Sequence, residues 1–150
     1  MIKQERRLVW RVLRRWKEIE LRGHIPRRDE VDHFLCGEDG ANCLLIAVGW
    51  SIERSHFVVV GVNLAAALCP TDTFAGTLMS RVPQVVSSRR GLIIEGTATF
   101  RSVGILYRAV LLPLSEDGNT IDHVFGATNY RSLRSHEVPT TQTSSRTHLL

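Results

Sequence analysis

The sequence predicts an α+β domain: a five-stranded antiparallel sheet that receives short helices after its second strand, with an amphipathic helix ahead of its first. Three observations carry that prediction. Residues 91–130 contain three strand-like segments, LIIEGTATF, GILYRAVLLPL and TIDHVFGATNY, joined by short polar links, the pattern of an antiparallel meander. Cys43–Trp50 and His56–Val62 are two further runs rich in Val, Ile, Leu and aromatic residues, with Ser51–Ser55 as their hairpin connection. Residues 2–21 carry Ile2, Leu8, Val9, Val12, Leu13, Trp16 and Ile19 within an arc of about 140° at the helical turn per residue.

The first helix has Arg6, Arg7, Arg11, Arg14, Arg15 and Lys17 on its other side, and Gly23 and Pro26 end it. Trp10 is an anomaly, since it falls among the arginines. Residues 22–42 read as a polar connector with turn chemistry at Gly23, Pro26, Gly37 and Asp39-Gly40 and a helical turn near Asp29–Leu35. After the first two strands, Asn63–Leu68 is too short for a long helix. Thr71 or Asp72 is placed to cap the next one, which carries Phe74, Leu78, Met79, Val82 and Val85 and is expected to kink or split at Pro83. In the third strand Leu92, Ile94, Gly96, Ala98 and Phe100 alternate with Ile93, Glu95, Thr97 and Thr99, as in a sheet with one covered face. Arg101-Ser102-Val103 forms the next link, and Asp117-Gly118 suits the tight turn of the last hairpin because glycine accepts positive φ. From Arg131 the tail is Ser/Thr-rich with little to bury, and disorder is expected over 131–150. The expected units are thus 1–21 (helix), 22–42 (connector), 43–130 (domain) and the tail.

A chain of 150 residues with 43% apolar content is one domain's worth and can bury a core. No apolar run approaches the ~20 residues of a membrane-crossing helix. The net charge is +4, yet residues 1–30 hold ten Lys/Arg against five Asp/Glu, so the positive excess lies at the N-terminus. That is a basic appendage on a near-neutral domain, not a surface built throughout to coat nucleic acid. Cys36, Cys43 and Cys69 cannot all pair within the chain, and thiols in a reducing cytosol are the expectation.

Two segments go further than strand order. Trp16, then Gly23-His24-Ile25-Pro26-Arg27-Arg28-Asp29-Glu30-Val31-Asp32, resembles the entry segment of a family of small bacterial single-PAS proteins common in alphaproteobacteria, with His33 where that family has proline. Leu112-Pro113-Leu114-Ser115-Glu116-Asp117-Gly118 is similar to the family's leucine-proline-leucine-serine hairpin. The resemblance covers roughly residues 8–130 and implies a PAS-like fold, a cytoplasmic location and a role in signalling or regulation. It implies no defined ligand and no catalytic residues.

Catalytic and cofactor constellations are weak. PAS flavin photosensors keep an Asn-Cys pair on a helix, whereas Asn42-Cys43 leads into a strand. Haem would need an axial ligand such as His56 or His123 facing a pocket. His33, Cys36 and Cys43 lack the second close pair of a structural zinc site, with His56 and Cys69 scattered. Asp122 and His123, adjacent on a strand, are expected to point to opposite faces, and no nucleophile elbow or phosphate loop is present. No catalytic residue, metal ligand or cofactor is therefore assigned.

What the sequence offers is binding. Phe74, Leu78 and Met79 from the inserted helix, with Ile94, Ala98, Val110 and Leu112 from strands, are the expected lining of a pocket for a small apolar ligand with one polar anchor. Val9, Val12, Leu13 and Trp16 are expected to pack on the sheet, on a second copy in a homodimer, or on both. An unidentified signalling partner would supply the output. The alternatives are contact of the arginine face, through Arg7, Arg11 and Arg14, with nucleic acid or an anionic membrane, and an uncharacterised enzyme on the same fold.

Overall fold

In the computed structural model, which describes residues 5–65, 73–100, 103–133 and 145–149, the apolar stripe of the N-terminal segment becomes α1 (Glu5–Glu20). Gly23 ends it at φ +103°, a left-handed value that glycine takes without a Cβ clash. A short 3-10 turn at Arg28–Glu30 and the helix α2 (Asp32–Cys36) follow, then β1 (Cys43–Ala47), β2 (His56–Val60) and the short α3 (Val62–Ala65). Next come α4 (Thr73–Ser88), β3 (Leu92–Phe100), β4 (Val103–Leu114), β5 (His123–Ser132) and β6 (Ser145–Leu149). The α+β class, the antiparallel sheet and the helices after the second strand are as the sequence predicts. Ile2, Thr71, Asp72, Arg101 and Ser102 lie outside the described residues.

The sheet runs β2-β1-β5-β4-β3-β6, with every neighbouring pair antiparallel. Its central strands are covered on both faces. On one side α3 and α4 lay Leu64, Phe74, Leu78, Val82 and Val85 against Leu44, Ile46, Leu92, Ile94 and Leu111. On the other, Leu8, Val9, Val12 and Trp16 of α1 pack on Leu45, Ile93, Val110, Leu112 and Phe125. The connector joins that second core, since Val31 and Phe34 are buried in it. Glu95 and Thr97, beyond Ile93 on the α1 side of β3, are half-exposed, so full cover fades toward that end of the strand.

Three expectations are corrected. The tail is not unstructured throughout: Ser145–Leu149 adds β6 along β3, from Leu92↔Leu149 to Gly96↔Ser145. A free sheet edge supplies backbone donors and acceptors to any extended segment, so a strand can form there without an apolar pattern of its own. Residues 134–144 of the tail lie outside the described residues. Second, of the kink or split expected at Pro83, the split does not occur, and α4 continues through Pro83 as one helix. Pro83 is exposed, so the ring and the carbonyl it leaves unbonded are on the solvent side, where water can serve that carbonyl. Third, β1 stops at Ala47 and β2 at Val60, earlier than the apolar runs imply. Trp50 projects outward, 86% exposed, with the Arg54 guanidinium 5.4 Å from its ring centroid. No helix among the described residues is long and apolar enough to cross a membrane.

Candidate functional site

The layer between α4 and the sheet holds the least explained chemistry in the molecule. Helix α4 presents Phe74, Leu78, Val82 and Val85 to the sheet, as its spacing requires. Arg81 lies in that same stripe, seven residues after Phe74, three after Leu78 and four before Val85. Its Nε is sealed from solvent and has no hydrogen-bond partner. Beneath, Tyr107 of β4 is 2% exposed and meets Phe74 edge-on, with ring centroids 4.8 Å apart at 80°. The Tyr107 hydroxyl is buried and likewise unpartnered. Burial pushes its pKa up, and the charge of Arg81 pulls it partly back. Thr128 of β5, 1% exposed, sits opposite Ala109 and one diagonal step from Tyr107, and its Oγ1 also lacks a partner.

Three buried polar atoms without partners thus come from α4, β4 and β5 into one otherwise apolar layer. An unmade buried hydrogen bond costs about 1–3 kcal/mol, so such a cluster calls for something to satisfy it. The sheet beside Tyr107 is low: Gly96 pairs across from it, and Ala98 and Ala109 flank the position on the same face. Arg81, Tyr107 and Thr128 were not anticipated. The available signal was an arginine at an apolar position of the helical stripe.

Of the expected lining, Phe74, Leu78, Met79, Ile94 and Ala98 do meet in this layer. Val110 and Leu112 do not, because they belong to the α1 core on the opposite face. Strand residues alternate faces, so on β4 it is Ile105, Tyr107, Ala109 and Leu111 that look toward α4. The α1 stripe is used within the chain. Val9, Val12 and Trp16 are at most 1% exposed, while Leu13 packs against the same core and stays partly exposed. Trp10 is accounted for by a cation–π contact, the Arg108 guanidinium lying 5.3 Å from its ring centroid while its Nε donates to Glu95 at 2.8 Å.

The two sequence landmarks, about a hundred residues apart, are brought together. The Trp16 indole N–H donates to the Pro113 carbonyl at 2.9 Å, the Ser115 N–H to the Pro26 carbonyl at 3.0 Å, and the Arg28 N–H to Glu116 at 3.4 Å. The same hairpin loop reaches the other layer: Arg89, just after α4, donates through its guanidinium to the carbonyls of Gly118 and Asn119. Asp122 and His123, expected on opposite faces, are in fact hydrogen-bonded, His123 Nδ1 to Asp122 Oδ1 at 2.8 Å. β5 begins only at His123, so strand alternation does not govern the residue before it. Asp122 also accepts the Glu116 N–H at 2.8 Å, which makes the pair part of the loop's internal bonding.

Within that loop the Asp117 carboxylate accepts the N–H groups of Thr120 and Asn119 at 2.7 and 2.8 Å and the Ser115 hydroxyl at 3.0 Å, while Gly118 takes φ +79°. These bonds, the backbone ones foremost, hold its pKa down at about 2. A carboxyl titrating below its unfolded value of about 3.9 stabilises the fold at pH above that value, and the contribution is lost as the pH falls toward about 2. A carbon-detected NMR titration should therefore place the Asp117 midpoint near 2; an ordinary aspartate midpoint would show that the loop bonds do not hold in solution.

The remaining candidates are dispersed. His33 and Cys36 are exposed, whereas Cys43 is fully buried and its thiol is pushed up to about 12, chiefly by desolvation; Cys69 lies outside the described residues. Among the described residues no group of three or more His, Cys, Asp or Glu is placed to hold a metal ion. His56 and His123 both pair with Ala47 on the face away from α4. On the basic face, Arg11 is held by Asp39 through two bonds of 2.7 and 2.9 Å and Arg15 lies 3.7 Å from Glu18. Arg14 is exposed, and the Arg7 side chain is outside those described. Comparisons with protein-family models, with curated proteins and with solved structures find no match.

Proposed function

We propose that this chain is a PAS-type regulatory module that binds a small molecule between α4 and the sheet and acts through contact with a partner protein. The observation that carries the proposal is the unpartnered Tyr107 hydroxyl, buried with Arg81 Nε and Thr128 Oγ1 in an apolar layer. The succession of two strands, short helices and three strands supports it, as does the meeting of the two landmark segments through Trp16, Pro26 and Arg28.

The hairpin loop gives binding a mechanical outlet. It touches the residue after α4 through Arg89 and the segment after α1 through Pro26 and Arg28, so a shift of α4 on the sheet is felt on the opposite face. The role is one of binding, in a cytoplasmic setting, with no reaction assigned. A homodimer, if formed, does not rest on Val9, Val12 or Trp16, which are already buried within the chain.

Native mass spectrometry of gently purified protein, wild type beside Tyr107→Phe, tests the reading. The expected result is a reproducible small-molecule adduct on the wild type that is depleted in the variant. A bare wild-type protein, together with a variant that is more heat-stable than it, would show that the hydroxyl is only a buried defect.

A further inference from the structure

We infer that the layer between α4 and the sheet takes a small monocarboxylate, its carboxylate held by Arg81, Tyr107 and Thr128 and its apolar body lying against Phe74 and the low sheet surface at Gly96 and Ala98. The inference rests on the ligand-binding reading and adds the chemical class.

Each polar group at the site can donate. A guanidinium has five N–H donors and no acceptor, and it stays charged at any physiological pH. No carboxylate among the described residues pairs with Arg81: the ion pairs among those residues involve Arg11, Arg15, Arg27, Arg28, Arg108 and two histidines. The Tyr107 phenol stays protonated, since burial disfavours its anion, and a phenol O–H or a threonine O–H donates to an oxygen anion. The complement of such a set is a group made of acceptors. A planar group with two oxygens matches the guanidinium fork, and its single negative charge matches the single positive charge of Arg81. A phosphate dianion would leave excess charge in an apolar layer, and an amine would be repelled by Arg81.

The body of the ligand is set by the walls. Phe74, Leu78, Ile94 and Ile105 offer no hydrogen bond, so the remainder of the molecule must be apolar. Arg81 is half-buried and reaches this layer from the helix above, whereas Tyr107 and Thr128 rise from the sheet below. A carboxylate between them would bridge helix and sheet. It would tighten α4 against β4 and β5, which is the movement the hairpin loop is placed to feel.

The test uses the full chain with hexanoate and phenylacetate and with the matching neutral amides, read by isothermal titration calorimetry and thermal shift at neutral pH. Loss of a charge-assisted hydrogen bond is worth about tenfold or more in affinity, so each acid should bind at least about tenfold tighter than its amide. Arg81→Gln should bring acid and amide to similar affinity, and Tyr107→Phe should weaken the acid severalfold. Amides binding as well as acids on the wild type, a comparison that needs no variant, would overturn the carboxylate assignment and leave the ligand-binding reading in place. Failure of both acids and amides beside a retained neutral adduct in native mass spectra would do the same. Failure of all four with no adduct, and with both variants folded and more stable than wild type, would overturn both readings.

Discussion

Trp16→Ala is expected to leave the chain close to its folding threshold. The side chain is 1% exposed at the centre of the α1 core, and truncating a buried Trp costs about 3–5 kcal/mol. The Pro113 carbonyl would in addition lose its 2.9 Å donor, which is worth about 1–3 kcal/mol if water cannot replace it. A domain of this size holds only about 5–15 kcal/mol in total. Urea unfolding followed by circular dichroism should thus show a midpoint collapsed toward zero denaturant. Trp16→Phe keeps most of the packing and removes only the indole N–H, so its loss should be limited to the hydrogen-bond share. If Trp16→Ala stayed within about 1 kcal/mol of wild type, α1 would be a loosely held appendage and not part of the core. The end of β4, which leads into the hairpin, would then have no rigid contact with α1.

How this architecture was legible in the chain, and where it was not, follows from which signals are local. The α1 stripe and the β3–β4–β5 meander are periodic patterns, and periodicity is set by burial, so both could be read directly. β4 defeated the same reading. Ala109 to Leu114 is apolar on both faces because helices cover both, and alternation there says nothing about which face is which. Val110 and Leu112 were placed on the wrong side for that reason. Arg108 was the available marker, since it shares their parity and lies beside exposed Trp10, away from the α4 layer.

The remaining misses were long-range. β6 is specified by the free edge of β3 and not by its own residues, so no window around Ser145 could reveal it. The bond from Trp16 to Pro113 spans 97 positions and has no sequence signature on either side. Arg81 differs from both, for it was legible. A helical wheel places it about 20° from Phe74, at the edge of the apolar arc, and a charged residue there is either misplaced or employed. Reading a stripe for its apolar members alone passed over the one residue with chemistry.

Gly61→Ala is the second large effect expected. Gly61 is buried at the exit of β2, with its N–H donating to the Cys43 carbonyl at 2.8 Å and its carbonyl accepting the N–H groups of Leu64 and Ala65 in α3. A Cβ added there would overlap the Gly40 carbonyl oxygen and the carbonyl group of Ala41. These are backbone atoms of a turn that is itself packed under Leu35 and Phe34, so no side-chain rotation can relieve the overlap. The loss should reach or exceed the top of the usual overpacking range of about 1–3 kcal/mol. Gly76→Ala supplies the contrast. That glycine lies exposed within α4 with open space where a Cβ would go, and alanine there should raise stability by about 0.5–1 kcal/mol through helix propensity. Chemical denaturation of the two variants side by side separates the effects, since they differ in surroundings and not in the substitution made. A harmless Gly61→Ala would mean that the turn at Gly40 can move off β2. α3 would then not be fixed by that contact, and the position of Arg81 above the sheet would have to be held by the α4 stripe alone.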